Sequence, residues 1–144
     1  MNIRALVATL AGAVVLFFGG WLIFGLLLAN YMKANTVQYA GLMKEPMPDM
    51  IPLIVANLAL AWLFAFVFDY WAGIRTFVSG LKGGALITLP IAIWIDSSYL
   101  AFMNLYTGIA PLIVDVIAST ILGAITGGVV GLVLGLLDKK AELE

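Results

Sequence analysis

The chain has 144 residues, of which 64% are hydrophobic and 10% charged, with a formal net charge of −1 and a mean hydropathy of +1.13. A soluble domain carries roughly 25% charged residues, so these few charges cannot cover a water-facing surface and most of the surface must face lipid. There is no cysteine and no histidine, which excludes disulfides, thiol nucleophiles, His-ligated haem, Cys/His zinc sites and His-based triads. No basic excess is present to attract nucleic acid, and no cofactor is implied.

Four apolar segments are each long enough for a bilayer core of about 30 Å, which takes about 20 helical residues. The expected fold is all-α: a single transmembrane domain over residues 1–142, built as a four-helix bundle. The terminal Leu143-Glu144 has the look of a cloning scar. Helix 1 is expected over 5–29, uncharged throughout and too long for a signal-peptide core. Helix 2 is expected over 51–72, with Pro52 suited to a first turn. Helix 3 is expected over 79–104 and helix 4 over 110–137, with Pro111 near its start. Short connections make successive helices antiparallel. Arg4, Arg75, Lys82, Lys139 and Lys140 fall on one side of the membrane, and Lys33 and Lys44 on the other. By the positive-inside rule both termini are cytoplasmic.

Helix 4 repeats small residues every fourth position: Asp115, Ser119, Gly123, Gly127, Gly131, Gly135. Residues four apart share a helix face, so this row lets another backbone approach closely, the small-xxx-small packing pattern. Helix 3 gives Gly80, Gly84, Thr88, Ala92, Asp96, and helix 2 gives Asn57, Ala61, Ala65, Asp69, Gly73. In helix 1 the small residues Ala5, Gly12 and Gly19 recur every seven instead. Such faces meet protein rather than lipid, either within the bundle or between subunits of a homo-oligomer. Pure packing is the simplest role for the glycines; a glycine-lined path for a solute is the alternative.

Each of three stripes contains an aspartate. The charge-free run 83–95 of helix 3 is about 20 Å long, too short to span, so either Asp96 or Lys82 is drawn toward the core. Lysine can snorkel and aspartate cannot. Asp96, Asp115 and Asn57 all fall in the outer half of the membrane, and an ionisable group there is a functional-site hypothesis by default. Asp96 and Asp115, with Asn57 and Tyr99 as neutral ligands, would hold a hard cation, share a proton, or flank a cationic substrate near Trp94. The competing reading places both carboxylates at the headgroup level, Asp115 stabilised by its helix N-terminus. Asp69 is expected to pair locally at the cytoplasmic end.

The outer loop carries Met43, Met47 and Met50 within Met-Lys-Glu-Pro-Met-Pro-Asp-Met. Thioethers are soft ligands that suit Cu(I); otherwise such side chains seat a loop on the membrane. An intramembrane aspartyl protease would need a Gly-x-Gly-Asp motif, which neither Ile95-Asp96-Ser97 nor Val114-Asp115-Val116 supplies, and the chain is not expected to be an enzyme.

Gly20-Trp21, Phe24-Gly25, the lysine-bearing outer loop and Asn104 resemble a group of small uncharacterised four-helix bacterial membrane proteins. The resemblance implies a four-helix fold in the bacterial inner membrane and carries over no functional residue. The expected roles are therefore a small transporter, channel or ion-binding bundle built on the outer carboxylates, or a structural or accessory membrane protein without a substrate.

Overall fold

The computed structural model describes residues 2–142; the expected scar at 143–144 lies outside them. The described residues form helices and connections and no named strand: α1 (Ile3–Gly20), a π-helical segment (Trp21–Leu27), α2 (Ala29–Asn35), α3 (Met50–Phe66), a second π-helical segment (Val67–Ala72), α4 (Phe77–Phe102) and α5 (Ile109–Glu142). Four stretches are long and apolar enough to cross a membrane, Ile3–Leu27, Met50–Ala72, Phe77–Phe102 and Ile109–Lys140, which marks the chain as an integral membrane protein.

Local chemistry sets the ends of these helices. The Asn2 side chain accepts from the Ala5 amide at 2.8 Å and starts α1; Thr76 does the same for Ser79 at the start of α4. Both occupy a first-turn amide that has no partner within its helix. The second π segment stops at Gly73, whose φ of 60° is the left-handed conformation that glycine adopts without a Cβ penalty. Helix 1 of the sequence reading does not end in a loop: beyond the π segment the chain turns at Leu28 and continues as α2. The non-helical part of the long connection is therefore confined to 36–49.

α5 is the spine. α4 packs along one side of it and α1 along another, while α3 packs mainly on α1 and touches α5 less. α3 and α4 are joined by a short turn yet lie on different partners, so closeness in sequence does not set the packing order here. The termini and the α3–α4 turn share one end, where Arg4 and Arg75 both reach Asp138. The 36–49 loop and the α4–α5 connection share the other, called here the distal end.

The core follows the small residues. In α4 the buried residues are Gly80, Gly84, Thr88, Ala92 and Asp96. Across from them, a Cβ on Gly127 would come 2.7 Å from the Gly84 Cα, and one on Gly84 would come 3.0 Å from the Gly127 Cα, so the two backbones are in contact. Gly131 and Gly135 meet the backbone of Thr76 and Arg75. The glycine row of α5 is thus covered by α4 and the turn before it, and is not free to receive another subunit. Gly12 of α1 sits against Val130 and Ala61. Phe64, Phe68, Ala65, Ala8, Val130 and Leu134 fill the space between α1, α3 and α5 toward the termini. The buried hydroxyls of Thr9, Thr88 and Thr126 each donate to the carbonyl four residues earlier, which satisfies them without a partner across the interface.

Candidate functional site

The distal end is held by a short pairing of two connections. The Val37 amide donates to the Leu105 carbonyl at 2.7 Å and the Thr107 amide to the Asn35 carbonyl at 3.0 Å, an isolated antiparallel bridge between Thr36 and Tyr106. The Thr107 hydroxyl adds a bond to the Asn35 carbonyl and the Tyr39 hydroxyl one to the Asn104 carbonyl, both at 3.0 Å. This bridge folds the α4–α5 connection back over the end of α4 and presents Tyr106 to it. The Tyr106 hydroxyl donates to Asp96 Oδ1 at 2.9 Å.

Asp96 is 3% exposed and faces α5 through the same row as Gly84 and Thr88. The Asp115 carboxyl neighbours the Asp96 carboxyl and the Ser119 hydroxyl. Asp96 Oδ2 is buried without a hydrogen-bond partner among the described residues. No Lys or Arg pairs with either carboxyl among those residues. At such proximity two carboxylates repel strongly unless a proton or a cation lies between them. Burial beside Asp96 pushes the Tyr106 phenol well above the ordinary tyrosine range, with its hydrogen bond to Asp96 the next contribution, so the phenol keeps its proton.

Depth follows from helix length. Asp115 and Asp138 are about 35 Å apart along α5, slightly more than a hydrocarbon core of about 30 Å. A hydrocarbon core that began at Asp138 and its arginines would end near the carboxyl pair, which is shielded by protein. Lys82 lies about 8 Å along the axis from the start of α4 and is exposed, where its stem can snorkel.

The other expected ligands are elsewhere. Asn57 donates to the Leu53 carbonyl of its own helix at 2.9 Å and lines an apolar groove of about 410 Å³ with Leu10, Ala13, Phe17 and Leu58. It belongs to the α1–α3 side of the bundle, whereas the carboxyls lie between α4 and α5. Tyr99 is 41% exposed on the flank of α4; the phenol that reaches Asp96 is that of Tyr106. Trp94 is 71% exposed and turned away from the pair. Met43, Met47 and Met50 are exposed at the distal end.

Beside the site is a recess of about 510 Å³ lined by Phe24, Met32, Lys33, Gln38, Tyr39, Met43, Glu45 and Tyr106, among others. Tyr106 therefore borders both the recess and the carboxyl pair. At the end that carries the termini the charges are instead matched. Asp69, almost fully buried, accepts from Arg75 at 2.7 Å and from Asn2 at 2.8 Å, while Asp138 receives Arg4 and Arg75. Tyr106 and Asp138 have no regular spacing to their partners, and only the fold identifies them, whereas Ser119 is in the same every-fourth-residue row as Asp115. Comparison of the chain with known protein families, curated proteins and solved structures gives no match.

Proposed function

We propose that this protein is a small transporter- or channel-like membrane protein of the bacterial inner membrane that binds a proton or small cation between Asp96 and Asp115, with both termini cytoplasmic and the pair at the outer side. The observation that carries the reading is the buried, unpartnered Oδ2 of Asp96, whose carboxyl neighbours a second one, with no Lys or Arg paired to either among the described residues. A membrane protein retains such an arrangement at a cost of a few kcal/mol unless something positive occupies it. Assembly as a homo-oligomer is part of the proposal and would use faces other than the glycine row of α5. The test is proton and cation flux into proteoliposomes carrying wild type or Asp96→Asn, with assembly checked by gel filtration. Loss of flux with assembly intact is expected; equal flux from both would remove the pair from the mechanism.

A second reading, a structural or accessory protein without substrate, is favoured by the seam below the pair. Thr88 against Gly123 and Gly84 against Gly127 close it by direct contact, so passage requires α4 to part from α5. Under that reading aspartate substitutions are silent and only substitutions in the seam matter.

A further inference from the structure

The proposed occupant of the pair, a proton or a cation, can be narrowed from the atoms around it. A hard cation is held by about six oxygen ligands. The Asp96 carboxyl has as its neighbour the Asp115 carboxyl, which in turn neighbours the Ser119 hydroxyl, and no group of three or more acidic, His or Cys side chains suited to a metal is found among the described residues. The remaining polar neighbour, Tyr106, aims its hydrogen at Oδ1, an orientation that repels a metal ion and occupies one of the four carboxylate oxygens. This set is short for a metal ion and sufficient for a proton, which needs only two oxygens.

The second observation is the position of Tyr106. It borders the recess and donates to the carboxyl, and the 35–37/105–107 bridge holds it there. We propose that the occupant of the Asp96–Asp115 pair is a proton, and that the Tyr106 hydroxyl relays it between the recess and Asp96. This rests on the reading of the pair given above. In the relay a hydronium ion in the recess gives a proton to the phenolic oxygen as the phenol passes its own to Asp96 Oδ1. One O–H bond breaks at the hydronium and one at the phenol; one forms at the phenol and one at Oδ1. The phenol ends neutral, as it began, and a turn of the Asp96 carboxyl brings the new O–H toward Asp115. The raised titration of Tyr106 agrees with exchange rather than ionisation.

The experiment follows the infrared band of protonated carboxyls in lipid nanodiscs, assigned by its loss in Asp96→Asn and Asp115→Asn, and times its hydrogen–deuterium exchange. Tyr106→Phe keeps the ring and the backbone bridge and removes the hydroxyl. Its band should remain and its exchange should slow about a hundredfold, the low end of what a positioned proton donor contributes. Ser98→Ala, which removes a distal hydroxyl that bonds its own helix outside the recess and the relay, should leave the rate unchanged and so reports on any general loosening of this end. Sodium or magnesium chloride should not bleach the band. An unchanged rate in Tyr106→Phe overturns the relay. Bleaching by either salt overturns the proton and leaves the pair as a cation site. If wild type shows neither a carboxyl band nor a response to salt, the reading of the pair itself fails, and the relay with it.

Discussion

Gly127→Ala is the most direct perturbation of the bundle. The added methyl would stand 2.7 Å from the Gly84 Cα and closer still to the Gly80 carbonyl oxygen. These obstacles are backbone atoms, which cannot turn aside as a side chain can. Carbon atoms rest at about 3.5–4.0 Å, so α4 must withdraw from α5 by about 1 Å around this point. Overpacking of this kind costs about 1–3 kcal/mol, against a gain of about 1 kcal/mol from replacing glycine by alanine within a helix. The net expectation is a loss of up to about 2 kcal/mol. Gly128→Ala is the internal control: it has the same propensity gain, but its methyl meets the ring of Phe77 at 2.7 Å, a side chain able to rotate. It should be neutral or slightly stabilising. Reversible unfolding in mixed micelles, read as the denaturing-detergent fraction at the midpoint, measures both. Equal stability of the two variants would refute the claim that backbone contact at Gly127 sets the α4–α5 distance. Gly127→Leu, with a larger side chain at the same point, should prevent native assembly.

Asp138→Asn should lower stability by about 1–3 kcal/mol, toward the lower figure because its partners are partly solvated, and unfolding of Arg4→Gln and Arg75→Gln in the same background would show whether Asp138 couples to both. Asn57→Leu should leave proton or cation binding unchanged, since Asn57 bonds its own helix on the far side of α1; a loss of binding would place it in the path after all. Substitution of Met43, Met47 and Met50 by Leu tests soft-metal binding at the distal loop: a silver(I) titration in which wild type saturates and the variant does not would support it, and identical titrations would dismiss it.

The parts of this molecule that were legible in the sequence are those repeated along one helix. Reading every fourth residue from Gly80 names the five residues of α4 that are buried, because a helix face is a property of spacing alone. Hydropathy likewise marks the four spans, although α5 runs beyond its expected end at 137 to Glu142. What spacing cannot express is which helix meets which. Similar position along their helices groups Asn57 with Asp96, yet α3 and α4 lie on different partners. Tyr99 was grouped with Asp96 as its neighbour in sequence, and it lies on the exposed flank. Tyr106 carries no signal in the sequence because it reaches Asp96 only after residues 35–37 pair with 105–107, a tertiary event with no local signature. The two π segments carry no sequence signal either, since their residues are ordinary helix formers in an apolar run.

The two ends of α5 present the same chemical problem with different solutions. Near the termini, Asp69 and Asp138 are met by Arg4 and Arg75, two acids against two bases. At the distal end Asp96 and Asp115 have a phenol and a serine hydroxyl as neighbours, two acids with no base among the described residues. If the missing positive charge is what the site is built to accept, supplying it from the chain should make the site indifferent to its ligand. Ser119 is one turn from Asp115 on the same face, and Ser119→Lys brings an ammonium group to the pair, with Ser119→Met as the control of similar length. The lysine variant should be more stable than the methionine variant while the carboxylates are ionised, and that advantage should fade as falling pH protonates them. It should also lose the protonated-carboxyl band and all proton uptake. A lysine variant no more stable than the methionine one, with flux unaltered, would mean that the pair is already neutralised by another route and that its lack of a basic partner has no bearing on function.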